Sequence, residues 1–457
     1  EGELEYTGTF SGNSKDRKLT LSIGETFGYQ GENPVTTEGK DGCGKVYAYS
    51  NYHNYQGVFA KFKSSSTGKF ENIVFDGKIH VSNAGGAITV GGIAAYANGE
   101  ANSVTTKNVT VKEQIIVDAP NVNVISSIGG FFGECDNNSA NIMFTDNTVS
   151  SANITIQNTG KGADNRTFAG SVIGRNIKKL ICNGLTIQGK ITSDAQQYAY
   201  VGGLIGNICD YTNADNESRW IEIRNLIYDG LTIYAPNAIK MCGGLFGSIW
   251  SRTGVYFTQD PNGDDGSNPK LVVKDATINA PKAKGVGGLA YRASGIWEIR
   301  SNGIDIQKMT VNAGNDVGLL ICHGEKSTET VEGSSRTFGA LYLDTLQYWE
   351  QAYKLGNVEI SVANSGTFDE FVAYTAASAS EITKNEVNGV ISLATQEGDT
   401  GRVGVDKTDC TTYKNRTAYG KQHNNNNCSR YYYDLDQCMT KAAAAATNDN
   451  KQIDTPE

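Results

Sequence analysis

The hexapeptide Val201-Gly202-Gly203-Leu204-Ile205-Gly206 decides the fold, because close copies of it recur along most of the chain. Most copies place one or two glycines between apolar residues. The first glycine of each copy falls at positions 57, 91, 129, 170, 202, 243, 287, 318 and 339, so successive copies lie 34, 38, 41, 32, 41, 44, 31 and 21 residues apart. Self-similarity at this spacing predicts a repeat protein, in which each repeat contacts mainly its neighbours.

Each repeat also contains two short strands ahead of its glycines. An asparagine opens the first strand, as in Asn72-Ile73-Val74-Phe75 and Asn225-Leu226-Ile227-Tyr228. An Asp-Gly turn and a second alternating strand follow, as in Leu231-Thr232-Ile233-Tyr234. Three short strands per repeat predict one coil of a parallel β-helix, with isoleucine and valine rows facing inward. We expect the repeated asparagine to adopt left-handed backbone geometry or to form a side-chain ladder.

The sequence therefore predicts an all-β protein, a parallel β-helix (solenoid) with corner loops and terminal caps. The usual crossover preference predicts a right-handed solenoid. We divide the chain into an N-terminal β cap (1–56), the solenoid (57–405), a cysteine-containing C-terminal cap (406–440) and a flexible tail (441–457). A propeller or a leucine-rich repeat is disfavoured, since neither four antiparallel strands per repeat nor a leucine-rich helical consensus is present.

Two long insertions are expected to project as loops from one corner of the stack. They cover Cys209–Arg219 and Ser251–Lys270. Aromatic residues assigned to inserts could either form a contact surface or cover the bases of the loops. These residues are Trp220, Tyr211, Trp250, Tyr256, Phe257, Trp297 and Trp349.

Charge and hydropathy exclude several classes of partner. The net charge is −9, from 40 Lys and Arg against 49 Asp and Glu, so the chain lacks the basic field that nucleic acids or anionic membranes attract. No run of 18 apolar residues occurs, and no signal segment opens the sequence at Glu1. We expect attachment to a membrane only through an anchor outside this chain.

One acidic segment is a candidate calcium site, and no other cofactor is expected. In the segment 260–266, Asp260, Asn262 and Asp264 alternate as calcium ligands do. The sixth and twelfth positions, Asp265 and Leu271, do not fit a complete calcium-binding loop, so a plain acidic loop is the alternative. Zinc is not expected, because the nine cysteines include no CxxC pair.

The remaining cysteines and the glycosylation sequons bear on the cellular compartment. Cys410, Cys428 and Cys438 are close enough in sequence for one disulfide among them, with the partners unassigned. Cys182 and Cys322 are expected to lie in the core as unreactive thiols. Seven sequons permit N-glycosylation of a secreted chain. Their asparagines are Asn108, Asn137, Asn153, Asn165, Asn216, Asn415 and Asn427.

No catalytic residue is predicted. Enzymes that cleave glycosidic bonds need converging carboxylates, whereas Asp76 and Asp229 stand in Asp-Gly turns several coils apart. None of the four histidines has an acidic or cysteine neighbour at catalytic spacing.

The recurrent Gly-Gly-Leu-Ile-Gly and Gly-Gly-Leu-Phe-Gly units resemble the GLUG-type repeats of extracellular adhesins, and the surrounding strands resemble those of right-handed parallel β-helix surface proteins. The segments 410–420 and 429–436 are similar to the membrane-proximal ends of trypanosomatid surface antigens. These resemblances imply a non-enzymatic cell-surface protein that meets a protein receptor or a glycan on another cell. The alternatives are a carbohydrate-active β-helix enzyme (polysaccharide lyase or glycoside hydrolase) and a filament subunit.

Overall fold

A computed structural model of the chain describes the backbone of thirty segments. They are residues 4–5, 9–11, 19–23, 36–37, 46–47, 54–63, 68–82, 88–98, 103–118, 125–136, 140–157, 166–195, 198–208, 219–238, 241–249, 253–257, 268–283, 285–293, 296–299, 303–314, 316–318, 321–324, 327–331, 334–338, 340–344, 353–362, 368–369, 382–387, 390–395 and 430–434. Side-chain packing is described within residues 55–318, with gaps, and at Val358.

The described residues form β-strands and their connections and no helix. Sheet 1 contains, in spatial order, β1 (Leu4–Glu5), β7 (Phe59–Lys63), β10 (Ala94–Asn98), β14 (Phe132–Cys135), β18 (Ile173–Arg175), β21 (Ile205–Ile208), β24 (Phe246–Ile249), β28 (Ala290–Ala293) and β32 (Ile321–Gly324). Sheet 2 contains β6 (Asn54–Gln56), β9 (Ile88–Gly91), β13 (Ile125–Gly129), β17 (Arg166–Gly170), β20 (Tyr198–Gly202), β23 (Met241–Gly243), β27 (Gly285–Gly287), β31 (Asp316–Gly318) and β37 (Phe368–Asp369).

Sheet 3 is the largest and bends at the asparagine and Asp-Gly turns into three successive faces. It contains β2 (Thr9–Ser11), β3 (Leu19–Ile23), β8 (Gly68–Ser82), β11 (Ser103–Val111), β12 (Gln114–Asp118), β15 (Asn141–Ser150), β16 (Asn153–Gln157), β19 (Lys179–Ser193), β22 (Arg219–Tyr234), β25 (Thr253–Phe257), β26 (Leu271–Ala280), β29 (Ile296–Ile299), β30 (Ile304–Ala313), β35 (Ala340–Asp344), β36 (Tyr353–Val362), β38 (Ile382–Val387), β39 (Val390–Thr395) and β40 (Arg430–Asp434). Two separate hairpins are β4 (Thr36–Thr37) with β5 (Val46–Tyr47) and β33 (Ser327–Val331) with β34 (Ser334–Phe338).

The repeat is confirmed as the coil of a parallel β-solenoid. In sheet 2 seven glycines pair residue on residue along the stack, at positions 91, 129, 170, 202, 243, 287 and 318. Every pairing within sheets 1 and 2 is parallel, so equivalent residues of successive coils lie one above the other, about 4.8 Å apart. The handedness of the solenoid stays a prediction.

The second glycine of the repeat is required by close approach of the backbone. A β-carbon on Gly203 would lie 2.0 Å from the carbonyl oxygen of Gly244, and one on Gly130 would lie 2.0 Å from that of Ser171. No side chain fits at such distances, since real β-carbons essentially never come within 3.0 Å of another heavy atom. The turn between sheets 2 and 1 therefore stacks this closely where the position is glycine, whereas Val58 and Ser171 in the equivalent place need a locally different backbone.

The core consists of inward rows, as the alternation predicted. One row of the third face contains Ile115, Ile154, Ile191, Ile233 and Ile278, which pair in register and are at most 1% exposed. Each such side chain contributes roughly 1.5–3 kcal/mol by leaving water. Stacking identical branched side chains also fills each layer without a change of volume from coil to coil.

The expectation for the asparagine row is confirmed in three coils, but Asn183 and Asn225 do not have a positive φ. Asn72, Asn108 and Asn147 have φ angles of 57°, 53° and 59°, which is the left-handed region. The Asn108 Nδ2 donates a hydrogen bond of 2.7 Å to Asn72 Oδ1 in the preceding coil. In the coil that follows Asn147, Gly184 takes the positive φ instead, at 111°.

The predicted ninth glycine copy, at position 339, is wrong. The strand that follows β31 in sheet 2 is β37, and Gly318 pairs with Asp369. The strands on either side of position 339 belong elsewhere, since β34 forms a hairpin with β33 and β35 pairs with β29 in sheet 3. A single glycine between apolar residues is common in strands, so this weak copy did not identify a coil.

The two insertions do not share one corner as predicted. The segment 209–218 precedes β22, whereas 258–267 follows β25. Because β25 pairs with the first part of β22, the two insertions border opposite ends of the first face of sheet 3. The prediction failed because the range Ser251–Lys270 contains a coil strand, Thr253–Phe257, which polar sequence on both sides concealed.

Among the described residues, the parallel ladder begins before residue 57, and its last parallel strand is β37, before residue 405. Strands β1, β2, β3 and β6 pair in parallel with β7, β8 and β9. At the other end β39 and β40 pair antiparallel with β36 and β35. That residues 1–56 and 406–440 act as caps stays a prediction, and 441–457 lie outside the described residues.

Gly203→Ala is expected to destabilise the protein by about 3 kcal/mol, because the new methyl group must displace the backbone of the next coil. Gly230→Ala is the matched control. Gly230 has a φ of 95°, but no atom lies within 4 Å of the place that its new methyl group would occupy, so only about 1 kcal/mol of backbone strain is expected. Urea unfolding of both variants measures the difference, and an equal loss would contradict the close-approach argument.

Candidate recognition surface

The first face of sheet 3 has an aromatic and charged cluster on its outer surface. Trp220, Glu222 and Arg224 alternate along β22, and Tyr256 lies opposite Glu222 on β25. The intervening isoleucines of β22 are fully buried in the core, so the polar and aromatic side chains point away from it. We call Trp220, Glu222, Arg224 and Tyr256 the Trp220 cluster.

Gly254 leaves the space that allows the two aromatic rings of this cluster to stack. The Trp220 and Tyr256 rings are stacked, with centroids 4.1 Å apart and planes 24° apart. Gly254 pairs directly with Trp220, and a β-carbon there would lie 2.4 Å from the Tyr256 ring. The ring therefore lies across its own strand in the space that a side chain at position 254 would fill, and from there it reaches the indole.

The polar groups of the cluster hold one another. The Trp220 Nε1 donates to Glu222 Oε1, and the Arg224 Nε donates to Glu222 Oε2 over 2.8 Å. The Glu222 and Arg224 side chains are only 10% and 12% exposed. A charge-assisted bond of this kind is stronger when water is largely excluded, and it fixes both side chains. The cluster is therefore a preorganised part of the surface.

The two insertions border this cluster. The segment 209–218 enters β22 directly before Arg219, and 258–267 leaves β25 directly after Phe257. Of the aromatic residues assigned to inserts, Trp220, Tyr256, Phe257 and Trp297 lie on strands instead, and Phe257 is a core residue. Tyr211, Trp250 and Trp349 lie outside the described residues. The sequence did not reveal the cluster, because its residues come together only when two strands 34 residues apart pair in this register.

A second polar row lies where the outer surfaces of sheets 1 and 2 meet. A β-carbon on Gly133 of sheet 1 would lie 2.7 Å from Thr89 Cγ2 of sheet 2, so the two sheets pack against each other outside the main core. On the sheet 1 side, one row runs in register through successive strands. Its described side chains are Tyr96, Glu134, Arg175, Asn207 and Ser248.

One contact of this row joins sheet 1 to sheet 2, and the others join neighbouring coils on the sheet 1 side. The Arg175 guanidinium lies 5.0 Å from the centre of the Phe168 ring, and its Nη1 lies 3.7 Å from Glu134 Oε1. The Tyr96 hydroxyl donates to Asp136 Oδ2 over 3.0 Å. Burial raises the pKa of Glu134, while the positive charge of Arg175 opposes that shift. The carboxylates near this row thus have partners within the protein. In the sequence, the row is recognised by a polar side chain four positions after the second residue of the glycine pair, as Glu134 follows Gly130.

The predicted calcium and disulfide residues stay untested. Asp260, Asn262 and Asp264 lie outside the described residues, as do Cys410, Cys428 and Cys438. Within the segments that the structure describes, no group of three His, Cys, Asp or Glu side chains could hold a metal ion.

The described cysteine side chains are free thiols in the core. Cys135, Cys182 and Cys242 are all buried and unpaired with another cysteine. Burial raises the pKa of Cys242 to about 12, which leaves the thiol protonated and unreactive in neutral solution. The expectation for Cys182 is confirmed, whereas the side chain of Cys322 is not described.

Two of the seven sequon asparagines have described side chains, and their surroundings differ. Asn108 has its amide nitrogen bonded to Asn72 and its backbone in the left-handed region. Asn153 begins β16 on the outer surface and is exposed. The other five lie outside the described residues: Asn137, Asn165, Asn216, Asn415 and Asn427.

Gly254→Val is expected to move the Tyr256 ring off Trp220, with a loss of about 1 kcal/mol in stability and a changed near-ultraviolet circular dichroism spectrum. Thr277→Val, on the outer surface of the third face, is the matched control. An unchanged spectrum for Gly254→Val would show that the glycine does not determine the stack.

In folded protein secreted from a glycosylating eukaryotic host, we expect glycan at Asn153 and none at Asn108. A glycan on Asn108 would replace its bond to Asn72, so chains modified there should not stack their coils. Peptide mass spectrometry of the protease-resistant fraction measures both sites, with Asn153→Gln as the control. Glycan at Asn108 in that fraction would contradict the prediction.

No helix in the described residues is long and apolar enough to cross a membrane. Comparisons with known proteins found no family model, no curated protein and no solved structure that matches this chain.

Proposed function

We propose that the chain is a non-enzymatic, extracellular cell-surface protein whose rigid solenoid presents its strand connections to a protein receptor or a glycan on another cell. The Trp220 cluster is the observation that carries this proposal. Its aromatic and charged side chains face outward and hold one another with little exposure to water, and two ten-residue insertions border it in successive coils.

The scaffold beneath this surface supports the proposal because it is stiff and also accepts connections of different lengths between its strands. Each coil bonds to the next through parallel backbone ladders and through exposed ion pairs such as Asp76–Lys112 at 2.8 Å and Asp275–Lys308 at 2.9 Å. Exposed pairs add little stability, so the ladders and the core hold the stack. Length differences among coils fall in the connections, where recognition residues commonly lie.

Sequence features support the extracellular setting. The adhesin-like glycine repeats and the antigen-like segments near the end of the sequence are typical of surface proteins, and the sequons permit glycosylation in that setting without being evidence for it. Exposure on a cell, adhesion, antigenicity and attachment through an anchor outside this chain belong to the same proposal.

Replacement of the insertions tests the proposal. We would substitute 209–218 and, separately, 258–267 by Gly-Ser segments of equal length, with the same change at 158–165 as the control. The control segment joins β16 to β17 at another corner. Binding of each purified variant to a glycan array and to intact cells is measured with calcium and again with a chelator, alongside release of fragments from polysaccharides.

We expect at least a tenfold loss of binding for one or both of the first two variants and none for the control. Loss on chelation would add the candidate ligands Asp260, Asn262 and Asp264 to the surface. Cleavage of a polysaccharide would overturn the proposal in favour of a carbohydrate-active enzyme. Binding that survives both replacements would also overturn it, and concentration-dependent end-to-end assembly would favour a filament subunit.

A further inference from the structure

One carboxylic acid lies inside the solenoid at a position that other coils fill with apolar or small residues. Glu113 stands at the corner between β11 and β12, where its side chain points into the core. Equivalent residues of the other coils form one inward row with it. They are Gly77, Ala152, Gly189, Leu231, Ala276, Met309 and Val358.

The carboxyl group of Glu113 has no polar partner outside its own residue. The residue is 0% exposed, and neither carboxyl oxygen has a hydrogen-bond partner among the described residues. A β-carbon on Gly92 would lie 2.6 Å from Glu113 Oε2, so the acid packs against the glycine turn of sheet 2. Its neighbours in the row, Gly77 and Ala152, are small. The Glu113 side chain therefore has about as much space as Leu231 or Met309 occupies in other coils. A neutral acid is tolerable there, but a charged one is costly.

The charges nearest to Glu113 do not compensate it. Asp76 in the preceding coil is bonded to the exposed Lys112 at 2.8 Å, and Lys78 lies on the outer surface of the third face. The glycine turn 91–94, which packs against the carboxyl group, contains no titratable side chain, and neither does the corner 150–153 of the next coil. Burial raises the pKa of Glu113 to about 8, the Asp76 carboxylate adds to the shift, and the residue's own backbone N–H opposes it.

We propose that Glu113 is a pH-sensitive opening point of the solenoid: it holds its coil closed while protonated, and its ionisation in mildly alkaline solution opens residues 88–118 while later coils stay closed. The corner depends on few bonds. Lys112 N donates to Phe75 O over 3.0 Å, Ser151 N to Val111 O over 2.7 Å, and Asn153 N to Glu113 O over 3.0 Å. Breaking them lets the charged side chain turn outward beside Lys112.

The sign of the pH dependence follows from proton binding. Between the ordinary pKa of 4.5 and the folded value of about 8, the closed state keeps a proton that the open state releases. The closed state is therefore favoured at low pH and loses stability as pH rises through this window. The opening equilibrium constant increases by up to tenfold per pH unit and stops changing above the window.

Hydrogen exchange by mass spectrometry from pH 5 to 9 tests the proposal. Protection factors, corrected for the intrinsic pH dependence of exchange, are compared between 88–118 and 271–313 in the wild-type protein, in Glu113→Gln and in Glu113→Met. Glutamine keeps the shape without an ionisable group, and methionine is the residue that the same row holds at Met309. The wild-type protein contains its own reference coils, so the comparison stands even where a variant folds poorly.

We expect protection of 88–118 to fall at least tenfold from pH 6 to 8 in the wild-type protein, with no comparable fall at 271–313 and none in either variant. An equal fall in the wild-type protein and in Glu113→Gln would overturn the proposal, because another group would then control the opening. A fall shared evenly by all coils would overturn the local character of the opening.

Discussion

The structure depends on the close stacking of backbone at the glycine turn between sheets 2 and 1. With only hydrogen at positions such as Gly130 and Gly203, carbonyl oxygens of the next coil come within 2.0 Å of where a β-carbon would stand. Glycine loses more conformational entropy on folding than other residues do, so each glycine at this turn lowers the stability of its own coil. In a solenoid that cost recurs in every coil, but so does the gain, because each close turn lets the next coil pair in register and bury its inward rows.

The outward side chains of the solenoid form different arrangements on different sheets, although the backbone ladder is the same. Where sheets 1 and 2 pack together, the row from Tyr96 through Arg175 to Ser248 forms a polar and aromatic layer outside the main core. On the first face of sheet 3, outward residues instead assemble the Trp220 cluster. Both arrangements need side chains from strands about 30 to 40 residues apart, and parallel register brings them together without any change to the core.

Residues that break the local pattern mark the sites where function is to be sought. Glu113 interrupts an apolar row, and Gly254 removes a side chain from an outward position so that Tyr256 can cover it. Each departure lowers local stability unless a neighbour compensates it, and the compensation differs. Tyr256 fills the space at Gly254, whereas protonation is what makes Glu113 tolerable in the core.

The amino-acid sequence by itself determined the parallel solenoid, the glycine row, the left-handed asparagines of three coils and the buried position of Cys182, because each of these follows from a local pattern that recurs. It did not reveal that position 339 leaves the glycine row, that the two insertions border opposite ends of one face, or that Trp220 and Tyr256 stack. Only the tertiary structure decided these, since they depend on which distant strands pair and in what register. A periodic pattern specifies the kind of coil. Which residues of distant strands pair is decided only when the whole stack packs, because the connections between strands differ in length from coil to coil.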